Sequence, residues 1–141
     1  MSQYRILIVD PYTEICGPHQ VLARVVEQAD RARFFFSIVV PGRGPTYYHL
    51  KALDADVQVI EGAETLRRGR GLGGFCLAIR GVRAIKPLVR LIHDQQIDLV
   101  HTGTASCWVG GLAARRARTR SLYHVHDLTL GSSSWVGYVT G

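Results

Sequence analysis

Apolar residues along the chain gather into short, nearly unbroken runs separated by longer stretches with helical spacing. Residues 4–10 (YRILIVD) and 33–40 (RFFFSIVV) are the clearest runs, the second closed by the turn pair Pro41-Gly42. Residues 97–101 (IDLVH) and 120–125 (RSLYHV) repeat the pattern, and 56–60 (DVQVI) is a weaker version. Runs this short and continuous predict parallel strands covered on both faces, since a strand with one wet face would alternate apolar and polar residues. Between them, residues 18–31 place Val21, Leu22, Val25, Val26 and Ala29 on one helical stripe. Residues 45–54 predict a short helix after Gly44-Pro45, and 104–117 a further one through Val109, Leu112 and Ala113. Residues 75–95 carry Leu77, Ile79, Val82, Ile85, Leu88, Val89, Leu91 and Ile92 at helical spacing. Pro87 lies inside that pattern and predicts a break or kink just before it, because proline lacks the backbone donor.

Strand and helix alternate from end to end. That order predicts an α/β domain built on a doubly wound, Rossmann-like parallel sheet with right-handed crossovers and strand order 3-2-1-4-5. The switch point then falls between the first and fourth strands, and ligands are expected at the carboxyl ends there. The loops concerned are 10–18, 101–106 and 125–134. The glycine- and arginine-rich stretch 61–74 reads as a loop. Within it, GRGLGG (69–74) imitates a dinucleotide fingerprint, but it does not follow the first strand and no acidic ribose ligand sits at the required distance, which disfavours nicotinamide binding.

A length of 141 residues suits one domain able to bury its own core. The net charge of +6 comes from 17 basic and 11 acidic residues, and only Lys51 and Lys86 are lysines. Arginine's planar guanidinium binds phosphate and carboxylate bidentately, so anionic partners come into view. Nucleic acid is disfavoured, because aromatic residues are not interleaved with the basic cluster as stacking platforms require. Cys16, Cys76 and Cys107 are odd in number and show no CxxC spacing, which points to neither a disulfide framework nor a zinc site. The chain enters a strand almost at once and holds no apolar run long enough for a membrane span, so a cytoplasmic location without a signal peptide is expected. Arg80, Arg83, Lys86 and Arg90 recur at helical spacing after Arg67, Arg68 and Arg70. The Arg67–Arg90 region reads either as a solvated face or as a basic amphipathic surface for peripheral contact with anionic lipid at the inner face of a membrane.

Three loops carry candidate chemistry. Gly17, followed by Pro18, opens the first helix, where free backbone N–H groups could hold a phosphate or simply make a strand-to-helix turn. His101, Thr102, Gly103, Thr104 and Ser106 follow the fourth strand, where the hydroxyls serve either an anion or the helix cap. His124, His126 and Asp127 close the fifth strand, and a histidine there can act as a base or donate to an anion. A receiver-domain reading, suggested by RILIVD, fails for want of clustered acids after the first strand, an aspartate after the third and a lysine after the fifth.

Taken together, YRILIVDPYTEICGPHQVLARVV and DLVHTGTASCWVGGLAARRARTRSLYHVHD resemble the N-terminal half of the family-four type of GT-B glycosyltransferase, the "glycosyl transferases group 1". The ordered set is a strand, a glycine-bearing loop, a long helix, a DVVH-like strand, an alanine-rich helix and a strand ending in HD. The resemblance covers nearly the whole chain. It implies that Gly17 lies near the donor diphosphate, although Cys16-Gly17-Pro18-His19 replaces the usual paired glycines, small residue and acid. It implies that His126, directly before Asp127, sits in the active site, with His124 the weaker match. It further implies that residues 1–141 are the acceptor-side Rossmann-like domain, and that a second, C-terminal donor domain with most of the nucleotide-sugar site is absent. A complete enzyme would move a sugar from a nucleotide-diphosphate donor to a glycan, lipid or small-molecule acceptor, usually with retention and with no metal or other cofactor required. Bacterial envelope or polysaccharide assembly is the family-level expectation, and the isolated chain is expected to be inactive. The alternative is a non-catalytic Rossmann-like binding or interaction module.

Overall fold

The five apolar runs form strands β1 (Tyr4–Val9), β2 (Phe34–Val40), β3 (Asp56–Val59), β4 (Leu99–Thr102) and β5 (Arg120–Tyr123). The computed structural model describes residues 3–64, 72–104 and 106–125. Every strand pairing is parallel and the order is β3-β2-β1-β4-β5, as the alternating pattern predicts. The connections are α1 (Gly17–Gln28), α2 (Pro45–Ala52), α3 (Leu72–Asp94) and α4 (Trp108–Ala117).

Strand residues alternate between two cores because side chains on a strand alternate faces. Leu7, Val9, Val39 and Val100 pack with Ile85, Leu88 and Ile92 of α3 and Val109 and Ala113 of α4. Ile8, Phe36, Ile38, Val40 and Val57 pack on the other side with Leu22 and Val26 of α1 and Leu50 of α2. Each fully buried aliphatic side chain contributes about 2 kcal/mol by leaving water, which is why the central strands tolerate almost no polar residue.

Three expectations are corrected. The buried stripe of α1 is His19, Leu22, Ala23 and Val26, whereas Val21 and Val25 are 44% and 50% exposed. These buried positions are spaced i, i+3, i+4 and i+7, so the face turns about a polar residue that counting hydrophobes overlooks. The helix containing Pro87 starts at Leu72 and runs to Asp94 without interruption. Pro87 and Arg83, whose carbonyl loses its partner, both stand on the exposed face, where water can satisfy that oxygen. Ala84, Ile85, Leu88 and Ile92 hold both halves of the helix against the sheet. Finally, α4 begins at Trp108 rather than at 104, because residue 104 is used in a turn described below.

Two glycines allow the close packing that seats the helices. Gly62, at φ 94°, lies against the backbone of Arg80 in α3, leaving no room for a side chain. Gly110 brings α4 down onto the end of the sheet, where an added Cβ would lie 2.5 Å from Thr102 Oγ1 and 3.2 Å from Val9 Cγ2. Cys107, fully buried before α4, donates its thiol to the Ala63 carbonyl at 3.3 Å and ties the loop after β3 to that helix. Burial pushes its pKa from 9.0 up to about 12, so it is a structural thiol.

Candidate functional site at the carboxyl rim

The carboxyl ends of β1 and β4 meet at the switch point of the sheet, and the loops that follow them define the candidate site. Gly103 N–H donates to the Val9 carbonyl at 3.0 Å, which fastens the loop after β4 to the end of β1. The turns holding Gly17 and Thr102 to Thr104 therefore stand on one rim.

Gly17 is exposed at the first position of α1. Its predecessor Cys16 is extended, at φ −134° and ψ 173°, and gives no side-chain hydrogen bond to the helix end. A Cβ built at Gly17 would meet nothing within 4 Å. Among the described residues, no side chain caps this positive helix end or competes there for an anion.

The loop after β4 is more inward than the sequence suggests. Thr102 is completely buried, with its hydroxyl beneath Gly110 of α4 and no hydrogen-bond partner among the described residues. It supports the rim from below rather than facing a ligand. Thr104 is 7% exposed; its Oγ1 lies 3.3 Å from Ser106 Oγ, and its carbonyl accepts from Cys107 N–H at 3.2 Å. Here the two hydroxyls pair within the turn that precedes α4, whose N-cap residue, Cys107, makes no side-chain cap hydrogen bond. His101 is half-buried and stacks on His124 at a centroid separation of 5.7 Å. His124 N–H donates to the Thr102 carbonyl at 2.9 Å, extending β5 by one residue beside β4. His126 and Asp127 lie outside the described residues, as do Arg67, Arg68 and Arg70.

The same rim holds a constellation that the sequence reading does not assemble. Asp10 follows β1 with the parity of Ile6 and Ile8, and so faces the α1–α2 side. Its carboxylate is 1% exposed and meets His19 Nδ1 at 2.7 Å, while its other oxygen accepts from Tyr12 N–H at 3.3 Å. His19, also 1% exposed, places Nε2 2.9 Å from Nδ1 of His49 on α2. The two rings meet edge-on at 64°. The three groups stand in line rather than around a common centre, and among the described residues no group of three or more ligand-type side chains is placed to hold a metal ion. Only Asp10 and Gly17 of this neighbourhood stand out in sequence. The usable signal for His19 is that it occupies the first position of the i, i+3, i+4, i+7 buried stripe; His49, thirty residues later, has none.

Two concavities lie at the opposite, amino end of the sheet, one lined in part by Gln3, Phe34 and Asp56 and the other by Tyr4, Ile97 and Arg120. Neither includes a residue of the rim. Among the described residues, no helix is long and apolar enough to cross a membrane.

The fold is that of the N-terminal half of a GT-B glycosyltransferase. Acinetobacter baumannii MurG matches with a TM-score of 0.68 at 18% identity over 93% of this chain and 37% of MurG. Anabaena HepE, solved in complex with UDP and glucose, matches with a TM-score of 0.65 at 21% identity over 89% of this chain and 30% of HepE. The chain therefore spans about a third of the length of these structures. No curated protein matches it. The family model for Glycosyltransferase Family 4 matches residues 15–139, and the chain belongs to that family.

Proposed function

We propose that the protein acts as a nucleotide-sugar-dependent glycosyltransferase in which this chain forms the acceptor side and one wall of the donor site. The observation that carries this reading is the open N-terminus of α1 at Gly17, at the switch point of the sheet, in a chain of Glycosyltransferase Family 4. A leaving diphosphate gains charge as the sugar departs, and a helix N-terminus with unoccupied space before it can stabilise that charge in the transition state. HepE, which shares the fold, is described with UDP and glucose, which supports a nucleoside-diphosphate donor. Further cations and donors for the nucleotide would come from a second, C-terminal domain. No cofactor is needed for this chemistry.

His126, with Asp127 beside it, is proposed to reach the reacting sugar and acceptor, supported by its match to the family's HD position. His101 and His124, stacked at the end of β4 and β5, would border the acceptor. The experiment is nucleoside diphosphate release from a panel of nucleotide sugars by the full-length protein. His126→Ala should lower kcat about 100-fold with an unchanged circular dichroism spectrum. An unaltered rate would remove His126 from the chemistry, and release from no nucleotide sugar would favour a non-catalytic binding module.

The acceptor is proposed to be a glycan or lipid met at the inner membrane face, as in bacterial polysaccharide assembly. Support comes from the outward side of α3, where exposed Phe75, Ile79 and Val82 continue into exposed Lys86 and Arg90 along one helical line. Arg80 is less available, because it pairs with Glu64 at 3.1 Å. Lys86→Glu with Arg90→Glu should abolish flotation with vesicles rich in anionic lipid. Flotation equal to wild type would leave this helix a solvated surface.

A further inference from the structure

The first turn of α1 lacks the usual fastening. No side chain caps it, no acidic residue stands in it, and Pro18 brings no N–H. Gln20 N–H donates to the Cys16 carbonyl at 3.0 Å. Gly17 and His19 are then the helical residues whose N–H groups have no partner among the described residues. A helix end without a cap frays unless something else holds it. The hold comes from the side. His19 is buried, and its Nδ1–H donates to the Asp10 carboxylate at 2.7 Å, since a carboxylate only accepts. The other Asp10 oxygen accepts from Tyr12 N–H at 3.3 Å, so one carboxylate at the end of β1 grips the loop 11–18 at both ends. Across the ring, His49 Nδ1 lies 2.9 Å from His19 Nε2 and satisfies that buried nitrogen. A second bond from α2 reaches the same loop, with Thr46 N–H donating to the Thr13 carbonyl at 3.1 Å.

We propose that His19 is a positioning residue of the donor site: its ring ties the first turn of α1 to Asp10 in place of an N-cap, which leaves the Gly17 and His19 N–H groups free for the diphosphate. The proposal deepens the transferase reading above and rests on it for the ligand. The tether differs from an ordinary cap in one respect that bears on binding. A serine or aspartate at the cap position takes the N–H of the second or third helical residue. The second here is Pro18, so a cap would consume the His19 N–H, one of the two free donors. A tether through the side chain uses neither. Because the turn is held in advance, less freedom is lost when the anion arrives, and affinity gains accordingly.

Calorimetric binding of UDP to the full-length protein tests this. His19→Leu should weaken binding about tenfold. His19→Asn should stay within about threefold of wild type, because its amide nitrogen takes the place of Nδ1 and donates to Asp10. A network that only stabilised the fold would lower the melting temperature in both variants and leave UDP binding at the wild-type level. That result would overturn the proposal, as would an asparagine variant no better than the leucine one. Cys16→Ser keeps the tether and adds a cap, so it decides the same question should His19→Leu fail to fold. It should raise the melting temperature by about 2 °C and weaken UDP binding about tenfold by occupying the His19 N–H. UDP binding as tight as wild type or tighter would contradict the proposal.

Amide hydrogen exchange separates the tether from its ligand. The Gln20 N–H closes the first turn of α1 onto Cys16. In His19→Leu it should exchange at least about tenfold faster than in wild type, and in His19→Asn at close to the wild-type rate. Unchanged exchange in His19→Leu would overturn the tether, whatever the protein binds. Failure of the wild-type protein to bind any nucleoside diphosphate would count against the donor-site reading instead, and exchange at Gln20 would still decide whether His19 holds the turn.

Discussion

Gly110→Val is expected to destabilise the domain by about 3 kcal/mol and lower its melting temperature by about 10 °C. Two effects oppose each other. Replacing a helical glycine relieves a propensity cost of about 1 kcal/mol relative to alanine, less for a β-branched residue. Against that, the first carbon of the new side chain would stand 2.5 Å from Thr102 Oγ1 and 3.2 Å from Val9 Cγ2. Both partners are fixed in the two central strands, so α4 must lift and open the core formed by Val109, Ala113 and Val100. Overpacking therefore wins. Gly73→Ala in α3 is the matching control, since nothing lies within 4 Å of its added carbon. There the propensity gain stands alone, and stability should rise by up to about 1 kcal/mol. Equal melting temperatures for wild type and Gly110→Val would mean that α4 does not sit this close to the switch point.

Much of this architecture is legible in the chain. The runs ILIV, FFFSIVV and DLV are continuous because their strands are covered on both sides, and a parallel sheet follows from that alone. The alternation of elements points to a doubly wound sheet, for which the observed order β3-β2-β1-β4-β5 is one of the common solutions. The limits arise where tertiary packing overrules a local rule. Pro87 argues for a break, yet its exposed side and the buried Ile85, Leu88 and Ile92 around it keep α3 whole. Val21 and Val25 suggest a buried stripe, yet the helix turns so that His19 enters the core. That turn cannot be read from hydrophobicity, because what draws His19 inward is a carboxylate on the neighbouring strand end. Thr102 and Thr104 stand where a loop of donors is expected, but strand parity sends Thr102 under α4 and the turn into α4 claims Thr104. Gly17 opens α1 where the sequence places a strand-to-helix turn, and it is exposed, with no described atom within 4 Å of an added Cβ.

Gly17 also allows the most direct test of the central claim, that the start of α1 holds the donor's diphosphate. Beyond its chain neighbours and its own helix, no described atom lies within 4 Å of a Cβ added there, so a larger side chain should fold without strain. Gly17→Val should keep the wild-type melting temperature within about 2 °C. It should also reduce nucleoside diphosphate release from the nucleotide-sugar donor by about 1000-fold, because the branched carbons occupy the space in which the diphosphate meets the helix N–H groups. Kinetics of the full-length Gly17→Val protein, measured beside its thermal unfolding, would decide the matter. A folded variant that has lost turnover is the result expected. A folded variant that turns over at the wild-type rate would show that the diphosphate binds elsewhere.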